Sequence, residues 1–376
     1  MTATTPAEFG TFFLPGPTEV RREVLEAMTR PMIAHRGKEF EALFARMQEN
    51  LRVVFRTARP VFVSSSSATG LMEAAVRCAA PGPVLAIVNG AFSGRFAQIA
   101  RACGRETDVL DVRWGDVPDP DDVRARLAAR RYAVVTVVHS ETSTGALADV
   151  QAVQRLSRAH GAICVVDTVT GLAGAPVETD GWDLDFVLTG SQKALAMPPG
   201  LAFGVASEAY MRAARDARDR GLYFDLVEFA EYGTRNQTPN TPALPLLYAA
   251  DVQLAHIVRE GMEARWARHA AMAERTARWV DEAAAATGLP LGILAPAGAR
   301  APTVTAVTLP AERAGLTGPQ VAAAVKARGF TIGSGYGKVR ESTFRIGHMG
   351  DHTLTGLERC LATCADALVA LARGAA

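Results

Sequence analysis

Lys193 is the residue on which a chemical reading of this chain turns. It follows an apolar run, Phe186-Val187-Leu188, and a small flexible turn, Thr189-Gly190-Ser191-Gln192, so it stands just beyond a short buried strand. A lysine held away from water has a lowered pKa, and its neutral amine forms a Schiff base with an aldehyde. The plain alternative is a solvated lysine at the rim of a sheet. Asp167 closes a second apolar run, Ala162-Ile163-Cys164-Val165-Val166. It either caps the next turn through Thr168 or presents a carboxylate where open α/β sheets gather ligands. Ser67-Ala68-Thr69-Gly70 follows the strand Val61-Phe62-Val63 and opens a helix. Free amide N–H groups and hydroxyls there make an anion cradle, or simply an N-cap with spare serines. Phe92 follows the strand Val84–Val88 and either stacks on a planar ring or fills core. Thr142 offers a hydroxyl after the strand Ala133–Val138. Arg345, in Phe344-Arg345-Ile346, is a bidentate clamp for a carboxylate. His35, in Ala34-His35-Arg36-Gly37, is a substrate contact or an ordinary loop histidine.

The elements that must position these residues alternate. From about residue 60 to 206, strand and helix follow one another in turn, which predicts a doubly wound sheet. The run ending at Asp167 is apolar throughout, as a strand buried on both faces must be. Upstream, Pro15-Gly16-Pro17-Thr18 sets a turn, with Thr18 as cap of a helix Glu19–Thr29, and a second helix spans Glu39–Phe55. Helices are also expected over Gly94–Cys103, from Asp119 or Asp121 to Arg131, and over Val150–His160. Downstream, Leu222–Pro245 reads as irregular, and a segment of that length is usually functional or lies in an interface. A long helical region, Ala243–Thr287, leaves the sheet. A smaller α+β unit follows, with strands Thr303–Leu309 and Thr343–Ile346 and helices Gly318–Arg328 and Thr353–Ala372.

Composition narrows the function classes. With 376 residues the chain is long enough for two domains. The 40 basic and 39 acidic residues nearly cancel, and no basic stripe appears, so nucleic acid is not an expected partner. No apolar stretch approaches the roughly 18–20 residues that span a bilayer, so no membrane association is expected. Met1–Pro6 lacks the pattern of a secretory signal. The five cysteines are scattered and mostly within apolar segments, as expected of reduced core residues in a cytoplasmic protein. Cys360 and Cys364 share a helix face, but with no matching His or Cys pair no metal site is expected. Gly333-Ser334-Gly335-Tyr336-Gly337-Lys338 fails as a phosphate loop, because Ile332 stands where glycine is needed and Val339 where a hydroxyl should hold magnesium. It reads as a glycine-rich strand connection. No Gly-x-Gly-x-x-Gly follows a strand in the first part of the chain, which argues against a dinucleotide enzyme.

An anion cradle, an aromatic, a hydroxyl, a carboxylate and a lysine, all at carboxyl ends of strands in one sheet, match the needs of pyridoxal 5′-phosphate. Its phosphate wants a helix N-terminus, its ring a stacking partner, its ring nitrogen a carboxylate and its aldehyde a lysine. The chain resembles the fold-type I pyridoxal-phosphate enzymes of the class V aminotransferase family, in particular the alanine–glyoxylate and serine–glyoxylate (serine–pyruvate) branch. The marks run over nearly its whole length: Pro15-Gly16-Pro17, Asn89-Gly90-x-Phe92, Glu141-Thr142-Ser143-Thr144-Gly145, Val166-Asp167-x-Val169, Gly190-Ser191-Gln192-Lys193-Ala194-Leu195 with Pro198-Pro199-Gly200, and Phe344-Arg345-Ile346-Gly347. The resemblance implies an N-terminal arm (1–17), a large domain (18–260) with a mostly parallel sheet between helices, and a smaller C-terminal α+β domain (261–376). It also implies roles. Lys193 resembles the Schiff-base lysine and general acid/base, Asp167 the partner of the ring nitrogen, and Phe92 the stacking residue. Ser67, Ala68, Thr69 and Gln192 resemble the phosphate cradle, Thr142 a hydroxyl near the ring oxygen, and Arg345 the substrate clamp. Thr241 is similar to a threonine that reaches the phosphate of the neighbouring subunit, which implies a homodimer with shared active sites. One departure stands out: Ser64–Ser67 and Ala68 replace the family's cradle glycines, so side chains stand where backbone usually approaches.

The implied activity is ping-pong transamination of a small amino acid, alanine or serine, with glyoxylate or pyruvate as acceptor. Lys193 moves the proton between substrate and cofactor, and Asp167 keeps the ring nitrogen protonated. Ureidoglycine–glyoxylate transamination uses the same core motifs. A lyase of the cysteine desulfurase type shares the fold but usually carries histidines where Gln192 and Phe92 stand, and a cysteine near Arg345. A non-catalytic scaffold would have no need of Lys193, Asp167 and Arg345 together.

Overall fold

Side chains along the central strands alternate between two apolar layers. In the strand Phe186–Gly190, Val187 joins one buried cluster with Phe40, Phe55 and Leu195, while Phe186 and Leu188 join the other with Leu71, Phe96 and Leu226. In the strand Ile163–Asp167, Cys164 and Val166 face the first layer and Val165 the second. A strand that buries both faces needs a near-continuous apolar run, and each fully buried Val or Leu contributes about 1.5–3 kcal/mol. The computed structural model, which describes residues 9–374, arranges seven strands in the order Val61–Ser64, Ala202–Ala206, Phe186–Gly190, Ile163–Asp167, Val134–Val138, Val84–Val88 and the partly exposed edge strand Thr107–Asp111. Ala202–Ala206 runs antiparallel to both its neighbours, and the other pairings are parallel. The carboxyl ends of Val61–Ser64, Val84–Val88, Val134–Val138, Ile163–Asp167 and Phe186–Gly190 therefore share one edge, where open α/β sheets build their sites.

A second sheet of five strands runs in the order Phe12–Phe13, Thr331–Ser334, Thr343–Ile346, Thr305–Thr308 and Gly292–Ile293. The helices Met262–Thr287, Gly318–Lys326 and Leu354–Gly374 cover it, joined through a core of Phe13, Trp279, Val321, Phe344 and Leu361. The glycine-rich connection is in part a strand, since Thr331–Ser334 extends into it before a short turn at Gly337–Val339.

Several local expectations change. The arm is ordered where it is described: Phe12–Phe13 adds a parallel edge strand beside Thr331. Its first eight residues, with Met1–Pro6, lie outside the described residues. The first helix shortens to Arg22–Ala27, because Glu19 instead accepts the Gly10 N–H at 2.7 Å. Thr18 does not cap that helix; its hydroxyl donates to the carbonyl of Lys193 at 3.0 Å. Phe92 lies inside a helix, Ala91–Ala102, rather than in the loop before it. Leu222–Pro245 contains the helix Leu226–Gly233, started by Asp225, whose carboxylate accepts the Val227 N–H at 2.9 Å. The long helical region is two helices, Leu244–Glu260 and Met262–Thr287, broken at Gly261, whose φ of 84° suits glycine. No helix of the described residues is long and apolar enough to cross a membrane.

Candidate active site

The turn that carries Lys193 is held carbonyl by carbonyl. Gln192 O accepts from Thr18 N–H at 2.9 Å, and Lys193 O from the Thr18 hydroxyl and from Ala196 N–H. Ala194 O accepts from buried Arg265 at 2.7 Å and Leu195 O from Gln253 at 3.1 Å, and both of those side chains are tied to Asp351. With the backbone fixed, the Lys193 side chain points into a cavity of about 290 Å³. It is only 7% exposed, and its Nζ donates to the Pro15 carbonyl. Burial pushes its pKa down to about 7; the Arg345 charge adds to this, and Asp167 and Glu141 oppose it. The desolvated amine expected from the sequence is thus what the fold produces.

Asp167 ends the strand next to that of Lys193, with Asp167 opposite Leu188 in register. It is 4% exposed, and one carboxylate oxygen accepts the Val169 N–H at 2.7 Å. Burial raises its pKa to about 7, against the lowering effects of that N–H and of the Lys193 and Arg95 charges, while Glu141 adds to the rise. The same cavity is lined by Ser67, Ala68, Thr69, Phe92, Thr142 and Gln192. The helix Ala68–Arg77 begins at Ser67 with no side chain capping its first amides. Ala68, which replaces a glycine of the family pattern, turns its methyl into the apolar layer with Leu71 and Met72, opposite Gly190. The Gln192 Oε1 is buried without a hydrogen-bond partner among the described residues. The Thr142 hydroxyl meets that of Thr170 at 2.5 Å.

Arg345 reaches the site from the second sheet. Its Nε donates to Ser334 O at 2.9 Å and its Nη1 to Thr142 O at 3.0 Å. Two carbonyl anchors fix the guanidinium plane and leave Nη2 and the second Nη1 hydrogen for a ligand. Burial lowers its pKa to about 10, so it stays charged. Thr241 is exposed and lies outside this cavity, beside Ser65, Tyr223 and Pro242. His35 sits in the turn before the helix Lys38–Phe55 and does not line the cavity. No cysteine lines it either. A larger cleft of about 510 Å³, between Arg77, Arg105 and Asp219, contains none of these residues.

Residues 12–308 match the family Aminotransferase class-V. The chain is a class V aminotransferase. It is 33% identical to the L-aspartate–glyoxylate aminotransferase of Paracoccus denitrificans, over 91% of this chain and 86% of that one. It is 32% identical to the serine–glyoxylate aminotransferase of Methylorubrum extorquens, over 90% and 86% of the two chains. The solved alanine–glyoxylate aminotransferase of a Nostoc species superposes with a TM-score of 0.88 at 29% identity, covering 98% of this chain and 97% of that one.

Four parts of this aminotransferase's site, Pro15, Thr18, Glu141 and Arg95, have no contact with the site assigned from the sequence, where Pro15 reads as part of a turn and Thr18 as a helix cap. The Pro15 carbonyl and Thr18 reach Lys193 across more than 170 positions, a separation that no local pattern signals. Glu141 is fully buried at the start of the Phe92 helix, where its carboxylate accepts from the Ser93 N–H at 2.9 Å, the Ser93 hydroxyl at 3.0 Å and the Ser143 hydroxyl at 2.6 Å. A carboxylate suits a helix N-terminus, and this one fixes the turn on which Phe92 stands. Arg95, one helical turn beyond Phe92, also lines the cavity. Its place three residues after Phe92 was the available signal.

Proposed function

We propose that this cavity binds pyridoxal 5′-phosphate and that the protein transfers an amino group from a small amino acid, alanine or serine, to a small 2-oxo acid, glyoxylate or pyruvate. The observation that carries this reading is the meeting of Lys193 and Asp167 at neighbouring strand ends in one cavity, both shifted towards pH 7 by burial. The uncapped helix start at Ser67 and the unpartnered Gln192 amide oxygen fit the same group, since both leave polar capacity facing a ligand-sized space. The relatives named above act on aspartate, serine or alanine with glyoxylate, and the proposal draws on those names for its substrates.

When bound, the cofactor supplies an aldehyde and an electron-withdrawing ring. Ser67, Ala68, Thr69 and Gln192 would hold its phosphate, Phe92 would lie against its ring, Thr142 would face the ring oxygen, and Asp167 would hold the proton on its nitrogen. Lys193, with a pKa near 7, can both take and return a proton at Nζ at working pH. Arg345 would grip the substrate carboxylate with its free Nη1 and Nη2 hydrogens. The carbonyl clamps on the 192–195 turn keep Lys193 Nζ from drifting during those transfers.

The reading extends to a homodimer. Thr241 lies outside its own chain's cavity, as a residue serving a partner's site must, and Leu222 beside that segment is 88% exposed. The experiment is a glyoxylate assay. With cofactor, glyoxylate and L-alanine or L-serine, glycine and the matching 2-oxo acid should form in equal amounts. Formation of neither, with any small amino acid, would refute the reading.

A further inference from the structure

Arg95 is a half-buried cation with no anion of its own. It sits on the helix Ala91–Ala102 and lines the cavity beside Phe92 and Lys193. No carboxylate among the described residues pairs with it. Its hydrogen bond within the protein runs from Nη2 to the Tyr336 hydroxyl at 3.4 Å, and its guanidinium lies 5.2 Å from the centre of the Phe92 ring. Arg345 is a second cation without a carboxylate partner among the described residues. Both arginines meet one side chain: Arg345 lies over the Tyr336 ring at 5.5 Å, while Arg95 reaches its hydroxyl. Tyr336 is itself stacked on Phe92, with ring centres 5.4 Å apart and planes at 24°.

One side chain, Tyr336, thus bridges the two guanidiniums, along the wall where Phe92 stands. Partly buried cations are poorly solvated, and an anion that enters between them gains more than it would in water. One carboxylate would satisfy Arg345. The cavity then still contains Arg95, close enough that its charge acts on both Asp167 and Lys193. A monocarboxylic amino acid leaves that charge unmatched, whereas a dicarboxylic one offers it a second carboxylate.

We propose that Arg95, oriented by the Tyr336 hydroxyl, reads a second, distal carboxylate, so that the preferred amino donor is a dicarboxylic amino acid of the aspartate class. This rests on the aminotransferase reading above and ranks a dicarboxylic donor ahead of the alanine and serine named there. Arg345 binds the carboxylate next to the reacting carbon in every substrate, and Arg95 adds a contact only when a side-chain carboxylate is present. Tyr336, whose hydroxyl accepts from Arg95 at 3.4 Å, positions the Arg95 fork and is itself a specificity residue.

Calorimetric binding of unreactive acids to the cofactor-loaded protein tests this without turnover. Succinate should bind roughly tenfold or more tighter than propionate, the worth of one charge-assisted contact. Arg95→Gln should bring succinate to within about twofold of propionate and leave propionate unchanged; Tyr336→Phe should weaken succinate alone, by a smaller factor. Equal affinity for the two acids in the unaltered protein would overturn the proposal, and that comparison needs no variant to fold. So would an Arg95→Gln protein that binds both acids as before but loses its cofactor, which would assign Arg95 to the phosphate. In the half-reaction, L-aspartate should convert the cofactor more efficiently than L-alanine, and Arg95→Gln should remove the difference. Conversion by alanine and serine but not aspartate would sink the dicarboxylate claim and leave the aminotransferase standing. Conversion by no amino acid would instead refute the proposed function, with the succinate–propionate comparison still deciding the role of Arg95.

Discussion

Lys193 and Asp167 are both pushed towards neutrality by burial, and each steadies the other's charge. Neither shift is a property of its residue type; both follow from burial at the end of a buried strand. Asp167 has one oxygen committed to Val169, so its chemistry resides in the other. Asp167→Asn keeps the shape and that hydrogen bond but cannot hold a proton as a charged partner. The expected result is a fall in turnover of about 10²–10⁴-fold with little change in the thermal midpoint. A variant that kept most of its activity would show that the carboxylate is structural. Lys193 and Asp167 were legible in the sequence because a polar residue closing an apolar strand is conspicuous. Tyr336 was not placed, because its contacts to Phe92 and Arg95 join positions 241 or more apart in the chain.

Among elements, the N-terminal segment matters more to the site than its irregular sequence suggested. Phe12–Phe13 pins it to the second sheet, and Leu14–Pro17 then crosses over Lys193. Gly16 has φ 93°, and a Cβ added there would stand 2.4 Å from Lys193 Nζ. Gly16→Ala should therefore displace either the lysine or the arm, lowering cofactor occupancy and turnover by on the order of tenfold or more. Full cofactor content with unchanged turnover would show that the arm yields freely. Strands were the most legible elements. Val84–Val88, Ala202–Ala206 and Thr343–Ile346 are bounded as their apolar runs predict, since burial on both faces leaves little choice of register. Leu226–Gly233 was missed because it is only eight residues long and its start depends on one Asp in a stretch rich in turn formers. The edge strand Phe12–Phe13 has two residues and no periodicity to show.

Across the whole molecule, buried histidines link the fold to pH. Burial pushes His139, His348 and His352 down to about 4, and burial with the Arg265 and Arg268 charges pushes His269 well below its usual range. The unfolded chain binds protons at these positions near pH 6.5, while the folded chain refuses them until about pH 4 at His139, His348 and His352, and until well below the usual histidine range at His269. Their contribution to stability is thus full above pH 6.5 and falls as pH drops from there towards 4, by about 1.4 kcal/mol per pH unit for each histidine. Asp351 acts lower down. Burial opposes its charge, but Arg265 and Arg21 outweigh it and hold its pKa at about 2, so its contribution is present above about pH 4 and fades only below that. Lys193, held at about 7 in the fold and higher in the unfolded chain, makes urea midpoints rise from pH 7 to 8, and Asp167, raised to about 7, offsets one histidine below that. Midpoints should still drop between pH 6 and 4.5, where the four histidines outweigh the one carboxyl. A level profile down to pH 4.5 would mean that these histidines take up protons without leaving the core.

The most direct test of the central claim, that Lys193 is the cofactor-bearing amine of a transaminase, is the visible absorption spectrum of the purified protein supplied with pyridoxal 5′-phosphate, recorded before and after a small amino donor is added. The account predicts a visible band that depends on Lys193, is absent in Lys193→Ala, and is lost when the donor is added as the matching 2-oxo acid appears. An unaltered protein with no such band, or a Lys193→Ala protein that keeps the band and the conversion, would contradict it.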